Sequence, residues 1–77
     1  MYEVKHYPIF YFQRGKESDI NWILARMAYI PTEKQEEVSE QYVNLFQEKN
    51  GRRKANEYLN NVAREWNKQN YLARGQK

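Results

Sequence analysis

Two breaks, at Pro31 and at "KNG" (residues 49–51), decide what this chain can become. Proline disfavours helical geometry at the residue before it, and a glycine after the last periodic residue suits a left-handed helix end. Before, between and beyond these breaks the apolar side chains recur at helical spacing. Ile20, Ile23, Leu24 and Met27 follow the i, i+3, i+4, i+7 pattern and predict a first helix over residues 19–30, with Ser18 as N-cap. Trp22, Ala25 and Tyr29 add a second apolar stripe, which predicts burial around most of that helix's girth.

A second helix is predicted over residues 33–49. Thr32 and Gln35 match the capping-box pattern, and Glu33 falls in the first turn, where the helix dipole favours an anion. Val38, Tyr42, Leu45 and Phe46 form its apolar face, with Glu33, Glu36, Glu37 and Glu40 opposite. A third helix is predicted over residues 52–72, with Ala55, Tyr58, Leu59, Val62, Ala63, Trp66 and Ala73 within about a third of the wheel. The short connection between the last two makes them an antiparallel hairpin. Gly51 is expected to take the left-handed position between them.

The opening stretch behaves differently. In "YEVKHYPIFYFQRGK" (residues 2–16), Tyr2, Val4 and His6 alternate with Glu3, Lys5 and Tyr7, and "IFYF" resumes a β-favouring run after Pro8. Proline bars a central-strand role, and no second strand is visible in the sequence to pair with this one. A lone strand leaves its backbone groups unpaired, so the segment is expected to lie as an extended arm over the helices or to clasp another molecule. The predicted architecture is therefore mainly α: three helices, the second and third forming a hairpin, preceded by an N-terminal extended or β arm. It is a single small domain over residues 1–77, with the arm at 1–17, the helical part at 18–74 and a frayed tail at 75–77.

Composition says how such a fold is held. Four Leu, four Ile and four Val are few for 77 residues, and there is no cysteine for a disulfide or thiolate metal site. Seven Tyr, three Phe and two Trp must supply much of the core. A thin core also favours self-association, so a homo-oligomer is one expected state. No apolar run approaches the ~20 residues that cross a bilayer. Glu3, Lys5 and Pro8 interrupt any secretory apolar region. A cytosolic protein with no membrane partner is expected.

Catalytic equipment is sparse. His6 is the only histidine, the three glycines are scattered, and the carboxylate stripe on the second helix has the spacing of a solvated face. No enzyme activity, cofactor or metal is expected. Charge is more informative. Residues 1–31 carry four basic and three acidic side chains, residues 32–48 one and five, and residues 49–77 eight and two. The chain is thus polarised, with an acidic middle and a basic end.

Arg52, Arg53 and Lys54 sit where a third helix begins, against its dipole, which invites a functional reason. With Arg64, Lys68 and Arg74 they form a candidate nucleic-acid surface, DNA or RNA, in which Arg and Asn side chains suit base and phosphate recognition. The first functional expectation is a small non-catalytic accessory protein binding nucleic acid through that face. The size and composition are of a kind found in small phage accessory proteins, with no motif that matches a family. The alternative is a modulator or inhibitor that docks on a larger protein complex, using the arm (Tyr7, Phe10, Tyr11, Phe12) or the acidic second helix (Glu36, Glu40).

Overall fold

The computed structural model describes residues 1–75, with side chains described through residue 69. The order is β1 (Gln13–Arg14), β2 (Glu17–Ser18), α1 (Ile20–Met27), α2 (Thr32–Phe46) and α3 (Gly51–Gly75). As the periodicity predicts, the protein is mainly helical, and α2 and α3 pack along each other as a hairpin that α1 also covers. The 25 residues of α3 span about 37 Å at 1.5 Å per residue and account for most of the 45 Å long axis.

The core lies where the three apolar stripes meet. Ile23 and Met27 of α1, Ile30 after it, Val38 and Tyr42 of α2, and Ala55 and Leu59 of α3 are all buried. Leu45, Phe46, Tyr58, Val62 and Trp66 close its edges. Ala55 and Ala63 are what allow α3 to lie close against its neighbours, since larger side chains there would hold the axes apart.

The turn between α2 and α3 differs from expectation in one respect. Asn50, not Gly51, takes the left-handed conformation, at φ 59°. Gly51 is the first residue of α3 and is buried. A Cβ on it would collide with the Phe46 carbonyl, so glycine is needed there for close approach and not for its φ. The first helix is also shorter and less enclosed than its two stripes suggest. It ends at Met27, and Tyr29 and Ile30 follow with tighter i→i+3 bonds to the Arg26 and Met27 carbonyls. Ala25 is exposed and Trp22 and Tyr29 are half-buried, because only one side of α1 faces the hairpin. Asp19 flanks the first turn, and the Ser18 hydroxyl accepts the Ile20 amide at 3.2 Å from one residue further out.

The arm, residues 1–12, is extended but is not a strand. The only β pairing among the described residues is the two-residue antiparallel ladder β1–β2, which turns at Gly15 with φ 58°. This small hairpin was not legible in "QRGKES", whose polar residues have no strand-like alternation. What holds the arm is a side chain. Gln35 is fully buried; its Oε1 accepts the Lys5 amide at 2.9 Å and the His6 amide at 3.2 Å, and its Nε2 donates to the Glu3 carbonyl at 2.9 Å and the Ile30 carbonyl at 3.1 Å. A primary amide has two donors and two acceptor sites, and all four are used.

The expected capping box therefore does not form. Pro31 holds the N-cap position with no side-chain cap, and the Thr32 hydroxyl donates to the Glu3 carbonyl at 3.0 Å. Both residues that would cap α2 instead hold the arm. The Tyr2 amide adds a bond to the Ala28 carbonyl at 2.8 Å, Pro8 is buried, and Val4 and Tyr11 pack on the core. The arm is thus intramolecular cover, with its backbone bonded to side chains and helix ends in place of a neighbouring strand.

Candidate functional site

The basic start of α3 has an internal explanation. Arg52 donates from Nε to Asp19 Oδ2 at 2.9 Å and from Nη2 to Asp19 Oδ1 at 3.0 Å. Its guanidinium lies 3.7 Å from the centre of the Phe12 ring. Asp19 also accepts from Asn56 Nδ2 at 3.0 Å, and Asn56 Oδ1 accepts the Tyr42 hydroxyl. This chain of contacts ties the arm, the start of α1, α2 and α3 together. The bonding by Arg52, and less so the bond from Asn56, hold the Asp19 carboxyl below its ordinary range against the opposing effect of burial. Burial pushes the Tyr42 phenol up to about 12, with the nearby Asp19 charge acting in the same direction. Tyr58 is raised as well, chiefly by burial and then by Glu37.

Lys54 is likewise occupied, by Glu48 at 3.1 Å, in a pair whose members are both about half exposed. Such a pair stabilises little. Of the six basic residues predicted to bind nucleic acid, Arg52 therefore serves the fold, Lys54 is paired with a surface acid, and Arg53, Arg64 and Lys68 are exposed with no ion pair among the described residues. Arg74 lies outside the described side chains, as does Ala73. The structure brings a further cation to this side: Arg26 of α1 bonds Asn60 of α3. A lone arginine in an apolar helix carries no sequence signal for this placement.

The arm aromatics divide into two sets. Tyr11 and Phe12 are half-buried, one against the core and the other beneath Arg52. Tyr7 and Phe10 are 49% and 52% exposed, and Ile9 between them is 75% exposed. Because Pro8 is buried and the Lys5 and His6 amides are fixed on Gln35, this apolar set is pinned to the surface by its own neighbours. Ile9 was not expected at an interface; its β-branched side chain in "IFYF" reads equally well as core.

A groove of about 340 Å³ runs between this part of the arm and α2. Its walls are Tyr7 and Ile9 on the arm and Glu36, Glu40 and Val43 on α2. Glu36 and Glu40, one helical turn apart, are both exposed and place two carboxylates along its rim. Ser39 lines the groove, is 8% exposed, and its hydroxyl has no hydrogen-bond partner among the described residues. Three of the six residues predicted for a protein interface thus meet at one groove, Tyr7, Glu36 and Glu40, and Phe10 is exposed next to Ile9 in the chain.

No cluster of three or more histidine, aspartate or glutamate side chains suited to a metal ion occurs among the described residues. No described helix is long and apolar enough to cross a membrane. Compared with known proteins, the chain matches no family, no curated protein and no solved structure.

Proposed function

We propose that the protein is a non-catalytic docking module, which captures a segment of a partner protein in the groove between the arm and α2. The observation that carries this reading is the exposed pair Tyr7 and Ile9 beside the Glu36–Glu40 rim. An exposed apolar cluster bordered by charge is what an interaction surface requires, and a small thin-cored domain gains nothing in stability by leaving it uncovered. Charge complementarity sets the occupant: a segment presenting apolar side chains to Ile9 and Val43 and lysine or arginine to the two carboxylates. The polarised charge of the chain supports the same reading, since α2 carries four glutamates and a single lysine.

The test is capture from a nuclease-treated native lysate by the immobilised protein and by two variants, Ile9→Asp and Glu36→Lys/Glu40→Lys. A partner retained by the unmodified protein and lost from both variants, with unchanged helical circular dichroism, is the expected result. As one of the few anchors that carry an interface, Ile9 should cost about 2 kcal/mol or more when replaced, at least tenfold in affinity. Equal retention of every captured protein by both variants, or capture of none, overturns the proposal.

A further inference from the structure

A second surface, on the opposite chemistry, is built between α1 and α3. A cleft of about 310 Å³ is lined by Arg26 and Tyr29 from the α1 side and by Asn60, Ala63, Arg64 and Asn67 from α3. We propose that this cleft binds the phosphodiester backbone of a nucleic acid, with Arg26 and Arg64 as its phosphate ligands and Lys68 extending the contact along α3.

Preorganisation singles out Arg26. Its guanidinium lies 4.8 Å from the centre of the Trp22 ring, and its Nε donates to Asn60 Oδ1 at 3.2 Å. Stacking and a hydrogen bond on one edge fix the plane of the group and leave both Nη nitrogens for a ligand. A planar fork held in this way loses little freedom on meeting a phosphate. Asn60, Arg64, Asn67 and Lys68 fall at i, i+4, i+7 and i+8, so they rise along one side of α3. Arg64 and Lys68 are about 6 Å apart along the axis.

No carboxylate lines the cleft; Glu65 lines the adjoining depression that Arg64 shares with Asn61 and Lys68. Neither Arg26 nor Arg64 nor Lys68 is paired with an acid among the described residues, whereas Arg52 and Lys54 are. Arg52, which ties α3 to α1, is neutralised by Asp19, and the cations around the cleft are left without an acid. Two amide side chains beside them supply neutral donors and acceptors, which suits a phosphate and sugar backbone better than a simple anion. The proposal is independent of the docking groove, which lies on α2 and the arm.

The test is fluorescence anisotropy with a labelled 20-nucleotide single strand and the matching duplex, titrated from low to physiological salt. Three phosphate contacts predict a slope of log affinity against log salt of about −2.7 on duplex and about −2.1 on single strand. Arg64→Gln and Arg26→Gln should each flatten the slope by about 0.9 on duplex or about 0.7 on single strand. Arg64 is exposed, so its replacement reads binding without perturbing the core. Arg14→Gln/Lys16→Gln at the β1–β2 turn removes two charges elsewhere and should leave the slope unchanged. No binding to either probe at low salt overturns the proposal. Equal loss from the turn variant also overturns it, showing diffuse attraction to net charge. Equally tight binding of polyglutamate overturns the nucleic-acid assignment and makes the cleft a site for an acidic protein.

Discussion

The arm and the α2–α3 hairpin are held to the same core by opposite means. The hairpin rests on repetition: apolar residues recur turn after turn, and Tyr42, Leu59 and Ala55 are only the deepest of many contacts. The arm rests on a few specific points, chiefly three hydrogen bonds to one buried amide, with Pro8 buried nearby. Distributed packing fails as a whole, because every element shares the one core. A single buried amide fails at once, since removing it orphans several backbone groups together. The same difference explains why the surface that the arm presents is so well defined: residues 5 and 6 are fixed, so Tyr7, Ile9 and Phe10 have little choice of position.

The largest expected effect attacks the distributed side. Leu59→Ala removes a fully buried side chain and should cost about 2–5 kcal/mol, read as a fall in the midpoint of chemical unfolding. Helix and arm should be lost together in that variant, because both pack on the same core. A variant that unfolds in two separate steps would show that the arm does not share it.

Next comes Gln35→Ala, which should cost about 2–3 kcal/mol through the unpaired Lys5 and His6 amides and the Ile30 carbonyl, the Glu3 carbonyl keeping its bond from the Thr32 hydroxyl. Here the two regions should separate: near-native helical circular dichroism, but rapid proteolysis within the first twelve residues. Proteolysis no faster than in the unmodified protein would mean that packing of Val4, Pro8 and Tyr11 suffices to hold the arm.

A smaller effect concerns the polar chain that joins the regions. Asp19 has a carboxyl pKa below its unfolded value, mainly through Arg52. Its contribution to stability is therefore complete above the unfolded value of about 4 and is lost as pH falls through the depressed folded value. The unmodified protein should lose stability on acidification through that window, and Asp19→Asn should be less stable at neutral pH and show a shallower acid dependence. Identical acid profiles would exclude Asp19 as the linked group. Smallest of all, Ser39→Ala removes a buried hydroxyl with no partner and should leave stability unchanged or raise it by up to about 1 kcal/mol.

The parts legible in the sequence were those that repeat. Helical spacing and two breaks located all three helices, their hairpin and nearly every core residue, because periodicity survives local error. Single polar residues with distant partners were not legible in the same way. Thr32 and Gln35 read as a local cap, but the Glu3 carbonyl, 32 positions from Gln35, competes for the same groups and wins. Arg52 read as a free cation because Asp19, 33 positions earlier, gives no sign of facing it. Only the fold sorts the cations into those it neutralises and those it leaves exposed, and only the fold sets Arg26 beside Arg64. On the arm, aromatic content pointed to cover or clasp, and the structure divides the two roles between Tyr11 and Phe12 inside and Tyr7, Ile9 and Phe10 outside.

The claim on which the rest depends is that the Gln35 amide clamps the arm, and amide hydrogen exchange at Lys5 and His6 measures it directly. Both amides point at Oε1 of a buried side chain, so they should be protected in the unmodified protein although they belong to no helix or strand. In Gln35→Ala their protection should fall to that of an open chain, while the amides of Tyr42 and Leu59 stay protected. Free exchange of Lys5 and His6 in the unmodified protein would contradict the account, because the arm would then be loose and its exposed apolar set would have no fixed place beside α2.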